Sequence, residues 1–224
     1  MKKTILQIVL AALAIFLVYE CYESISIPQK FKVIKEQRYA KVIQRLVDIR
    51  SAQVAYKDLY HKYANDFDEL INFVKNDSMK VVRSIGELTD DQLEAGMTEA
   101  RAIKEGLILR DTIRVPAFEH ILKNAEKDGG SFCKDYPIEE IRYVPYTNKK
   151  YEFTMGSQVK YSDSGAEIPL FEARVTNSVI FENLPQQFQE FVLEANGAAI
   201  RLKKYAGLKV GDIRESNNNV GNWQ

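Results

Sequence analysis

Two histidines, two cysteines and a scatter of acidic side chains are the residues of this 224-residue chain whose types could do chemistry. His61 stands among Tyr60, Lys62 and Tyr63 at the end of a helical pattern, and His120 follows Glu119 in a helical turn. Neither belongs to a His-x-x-His or Glu-x-x-His spacing that would put two metal ligands on one face, so both read as surface or capping residues. Cys133, in Ser131-Phe132-Cys133-Lys134, has a cationic neighbour that would favour a thiolate, but a lone cysteine beside phenylalanine is expected to be buried and inert. Glu139-Glu140 would act as acid and base only if folding converged them. Glu87, Asp90, Asp91, Glu94 and Glu99 match no calcium-loop spacing and are explained as first-turn carboxylates at helix starts. Cys-x-x-Cys, Gly-x-Ser-x-Gly and phosphate-loop patterns do not occur in the sequence. The expectation is no catalytic residue, no metal site, no cofactor and no enzyme; the alternative is an enzyme built on dispersed acidic residues.

The most informative element is a membrane attachment. Lys2-Lys3 precedes an apolar run from Thr4 to Tyr19 that only Gln7 interrupts. Its strongly apolar residues, at roughly 0.3 to 0.6 kcal/mol each, favour insertion by about 3 to 6 kcal/mol. At about 1.5 Å per residue the run covers roughly 24 Å of a hydrocarbon core about 30 Å thick, so local thinning or the reach of Lys2 and Lys3 must supply the rest. Ala12-Leu13-Ala14 mimics a cleavage site but lies inside the apolar run with no polar region before it, which favours an uncleaved signal anchor. Val18-Tyr19-Glu20 lacks the small residues that lipid modification of Cys21 would need. Lys2 and Lys3 before the run, with Glu20 and Glu23 after it, favour an amino terminus inside and nearly all of the chain outside the cytoplasm. Seven basic residues between Lys30 and Arg50, against Glu36 and Asp48, argue the other way; on the outside reading they form a solvated helix face or touch anionic headgroups. Gln7, Ala11, Ala12 and Ala14 permit close approach of other membrane helices.

With 31 basic and 31 acidic residues the chain has no global field for nucleic acid, and Cys21 and Cys133 make no disulfide scaffold. Tyr39, Val42, Leu46, Ile49, Gln53, Tyr56, Tyr60 and Tyr63 follow steps of three and four, the stripe of a long helix with one buried face. Packing on the protein's own sheet is expected, a coiled coil with a second chain being the alternative. Asn65-Asp66 ends the helix, and Asp66 with Glu69 forms a capping box for a short second one. Thr89 and Thr98 look like helix caps, and Ile108 to Val115 alternates as a strand that ends at Pro116. A hairpin is expected around Thr147-Asn148-Lys149-Lys150, between Ile141-Tyr143 and Tyr151-Met155. Strands are expected at 159–161, 168–175, 178–181 and 200–205, and a helix over 184–195 stopped by Asn196-Gly197. The polar tail from Glu215, carrying the only tryptophan, Trp223, reads as frayed, or alternatively as docked on the body or on a partner. The fold class is α+β: a transmembrane helix that continues into a long amphipathic helix packed on an antiparallel sheet. The segments are 1–3 cytoplasmic tip, 4–19 anchor, 20–64 stalk helix, 65–213 extracytoplasmic domain and 214–224 tail.

This order, together with Ala52, Ala55-Tyr56, Tyr63, Phe67 and Leu70, resembles type IV pilins and the pseudopilins of type II secretion, in which one amino-terminal helix spans the membrane and packs lengthwise on a sheet. The chain departs from them in having no Gly before Gly86 and no acidic residue within the apolar run, hence no prepilin peptidase site. The resemblance implies a non-enzymatic structural or assembly subunit of a bacterial envelope complex, anchored by a single pass in the bacterial inner membrane with its bulk in the periplasm, that meets lipid and other membrane-complex subunits or copies of itself. The alternative is a membrane-tethered periplasmic binding module for a peptide, glycan or lipid.

Overall fold

The structure, a computed structural model, describes residues 2–86, 89–94 and 96–224. It is mixed helix and sheet. The first helix, α1 (Lys2–Tyr60), has 59 residues and is about 88 Å long at 1.5 Å per residue. It runs through Pro28, whose ring nitrogen cannot donate to the Ser24 carbonyl. Ile5, Leu10, Leu13, Ile15 and Val18 on its first part are each more than half exposed, whereas Val42, Leu46, Ile49 and Ala52 are fully buried.

The end of α1 is fixed by the side chain of Gln53. His61 adopts a left-handed backbone and its N–H reaches the Lys57 carbonyl, the usual device for turning a chain out of a helix. The buried Gln53 amide then pairs with the backbone of Ala64, donating to its carbonyl at 3.0 Å and accepting from its N–H at 2.9 Å. Asp66 caps α2 (Phe67–Asn76) by accepting from the Glu69 N–H at 2.8 Å. The Glu69 carboxylate reaches back to the Asn65 N–H at 3.0 Å and accepts from the Tyr56 hydroxyl at 2.5 Å. The Asp66 half of the expected capping box is present, while Glu69 closes on the N–H one residue before the cap and is tied to α1 through Tyr56.

Two antiparallel sheets follow. β1 (Ser78–Ile85) pairs with β2 (Leu109–Pro116), and between them lie the short helices α3 (Asp90–Glu94) and α4 (Glu99–Lys104). Thr98 caps α4 as expected. Of the acidic residues considered for cations, Glu87 and the side chains of Asp91 and Glu99 lie outside the described residues. α5 (Ala117–Asp128) starts after Pro116 and closes on Gly129 in a left-handed conformation. The second sheet has the order β3-β4-β5, from β3 (Thr154–Tyr161), β4 (Glu167–Thr176) and β5 (Gly207–Gly211). One apolar cluster joins the buried half of α1 to α2, α5 and the inner residues Phe171, Ala173, Val175, Leu208 and Val210 of this sheet.

Several boundaries differ from expectation. The hairpin around Thr147 shrinks to one bridge, Tyr143 to Glu152, because Ile138–Arg142 winds into a 3-10 turn that buries Ile141. Residues 178–181 are not a strand but belong to α6 (Asn177–Ile180) and its end. The apolar run there faces α1, with the Phe181 ring 5.6 Å from Tyr39 and 5.7 Å from Phe31. α7 (Gln189–Arg201) continues through Asn196-Gly197, where the Asn196 side chain accepts from Asn177 at 2.9 Å. Residues 200–205 therefore finish that helix and turn, and the last strand starts at Gly207. β1 has no counterpart in the sequence reading. The tail is docked: Gly221 bridges Val210, and the Asn222 side chain accepts from the Lys209 N–H at 3.0 Å and donates to the Gly207 carbonyl at 2.9 Å.

Candidate functional site

On α1, Gln7, Ala11 and Ala14 recur at steps of four and three on one face, with Ala12 beside them. All four are exposed, so nothing else in the described chain covers this small-residue face. Among the described residues α1 is the one helix long and apolar enough to cross a membrane.

Trp223 lies at the other candidate surface, a cleft of about 880 Å³. Its walls are the end of α7 (Ala198, Ala199, Leu202), the turn Lys203-Lys204-Tyr205, β4 and β5, and the docked tail. The half-buried Trp223 ring packs over Gly221 and onto the core, which is why a Cβ at Gly221 would fall 2.4 Å from the indole. The floor is a charge network. Glu172, 7% exposed, faces Arg174 at 3.1 Å and Lys209 at 3.3 Å, and Lys209 also reaches Asp212 at 2.6 Å. Burial works to raise the Asp212 carboxyl, but the donors Lys209 and the Arg214 N–H outweigh it and hold it below its ordinary value. Burial raises the Tyr205 hydroxyl, with Arg174 opposing. Five cationic side chains (Arg174, Lys203, Lys204, Lys209, Arg214) line the cleft against two carboxylates, Glu172 and Asp212, an excess of three positive charges in a chain that is formally neutral. None of these cations stood out in the sequence, because they are scattered over forty positions; the one local signal, Arg201 to Lys204, fell in a stretch read as a strand.

Of the other sequence candidates, Glu139 and Glu140 come together at one open cavity of about 730 Å³, lined also by Asp68, Lys75, Tyr136, Arg142 and Lys149. Glu139 pairs with Lys75 at 2.5 Å and Glu140 with Lys149 at 2.8 Å. Each partner's hydrogen bond holds its carboxyl below the ordinary range. On this cavity each of the two carboxylates is thus paired with its own lysine. His61 is an exposed turn residue, and the His120 ring contacts Asn124 at 3.1 Å. His120 lines a cavity of about 440 Å³ with Asn124, Lys127, Asp58 and Ser51, whose buried hydroxyl has no hydrogen-bond partner among the described residues. Cys133 is exposed, not buried as expected, since Phe132 alone turns into the core. Among the described residues no cluster of histidine, cysteine and carboxylate side chains is placed to hold a metal.

A residue that the sequence reading passed over holds α1 to the body. Asp48 is fully buried on α1 and accepts from the Ser131 N–H at 2.7 Å, from the Ser131 hydroxyl, and from the Tyr136 hydroxyl at 3.1 Å. Burial pushes its carboxyl up, against the pull of these donors and of Arg45. Gly130 permits the approach, because a Cβ there would lie 2.6 Å from Asp48 Oδ1. No known protein family, curated protein or solved structure matches the chain.

Proposed function

We propose that this protein is a non-enzymatic, single-pass membrane-anchored structural or assembly subunit of a bacterial envelope complex, pseudopilin-like in layout, with its bulk in the periplasm. The observation that carries this reading is the continuity of α1: the same 59-residue helix exposes apolar side chains all around its first part and buries Val42 to Ala52 in the body. An apolar cylinder of that kind is stable in lipid and not in water. The helix therefore links the body to the bilayer without a break in secondary structure, as a subunit positioned among neighbours requires. Gln7, Ala11, Ala12 and Ala14 supply a face on which a second membrane helix approaches closely. Replacing Ala11 and Ala14 with Leu should abolish crosslinked complexes in membranes while leaving the periplasmic fold intact; unchanged crosslinking would refute the assembly role of that face. A second reading, a membrane-tethered binding module, is favoured by the charged cleft at Trp223.

A further inference from the structure

The cleft beside Trp223 combines unpaired positive charge with exposed apolar side chains. Leu202 is 67% exposed at its rim. Lys203 and Lys204 next to it are exposed and form no ion pair among the described residues, and Arg214 lies 4.0 Å from Asp212, already claimed by Lys209 at 2.6 Å. The amide and carboxylate groups of the cleft are in use. Both ends of the Asn222 amide are bonded to β5, and the Glu172 and Asp212 carboxylates are paired with Lys209. What is left to bind is three cations, the Tyr205 hydroxyl and the apolar surface of Leu202 and Trp223, a set dominated by positive charge.

We propose that this cleft receives an acidic peptide segment of a partner protein, its carboxylates held by Lys203, Lys204 and Arg214 and an apolar side chain set against Leu202 and Trp223. Charges at a solvent-exposed rim act chiefly on encounter and selectivity, and the desolvated aromatic and apolar contact supplies the anchor. The inference rests on the assembly reading only in taking the partner to be a protein.

Trp223 is the only tryptophan, so its fluorescence reports this cleft directly. The full chain in detergent micelles is titrated with a short synthetic peptide of glutamates around one leucine, with the same peptide carrying lysines, with a sulfated oligosaccharide and with single-stranded DNA. The expected result is a saturable Trp223 signal with the acidic peptide alone, a Kd that weakens with added salt, and a loss of about tenfold or more in affinity in the K203E/K204E double variant. A Kd that does not move with salt would overturn the proposal even without that variant. So would no saturable signal, an affinity unchanged in K203E/K204E, or equally tight binding of the saccharide or the DNA. Failure here with the Ala11 and Ala14 crosslinks still forming sinks the cleft and leaves the membrane reading standing.

Discussion

Two acidic side chains, one buried and one partly exposed, hold α1 to the body with opposite responses to pH. Asp48 is held above its ordinary value chiefly by burial. A carboxyl raised in the fold contributes stability that is fully present below the unfolded pKa of about 3.9 and is lost as pH rises through the folded value. Wild type should therefore gain stability over D48N as pH falls from neutral towards about 4, which urea midpoints at a series of pH values measure; a gap independent of pH would remove the raised carboxyl from this account. Glu69 is the reverse case, lowered first by the Tyr56 hydrogen bond and then by the Asn65 N–H. Its contribution is present above the unfolded pKa of about 4.3 and lost as pH falls through the folded one. Y56F keeps the ring packed edge-on to Phe73 at 5.2 Å and should cost about 1 kcal/mol at neutral pH, the deficit narrowing in acid. Glu69 was legible in the sequence because a capping box is local. Asp48 was not: its partners lie 83 and 88 positions away, and nothing beside it in the sequence points to them.

At the scale of elements, the parts legible in advance were those whose signal is local and periodic. The stripe Val42 to Tyr56, the Asp66 and Thr98 caps and the β2 alternation all stand where periodicity put them. The misses share one cause, tertiary partners overriding local punctuation. Asn196-Gly197 reads as a helix stop, but Asn196 is taken up by the Asn177 amide and α7 continues. Residues 178–181 look like a strand, yet they turn so that Phe181 meets Phe31 and Tyr39. Gly197 is thus left in a helix interior with nothing within 4 Å of an added Cβ. G197A should stabilise the protein by about 0.5 to 1 kcal/mol, read as a rise in urea midpoint with unchanged slope. A loss of stability would mean that the helix does not run through this point. Of the two readings of the tail, frayed or docked, the docked one holds: its asparagines look like disorder, but the side chain of Asn222 satisfies the free edge of β5 as a strand would.

For the whole molecule, the composition correctly warned of a neutral chain without a global field, but not that three positive charges in excess would gather in one cleft. The placement of function turns on α1. If its first part lies in lipid, the exposed Ile5 to Val18 surface is covered, the body stands at a fixed distance outside, and the small-residue face meets other membrane helices. The most direct measurement is alkaline carbonate extraction of membranes carrying the full chain, combined with the intact mass of the extracted product. The account predicts that the protein stays in the membrane pellet and that residues through Tyr19 are present in the mass. Release into the carbonate supernatant, or a mass lacking that segment, would contradict it.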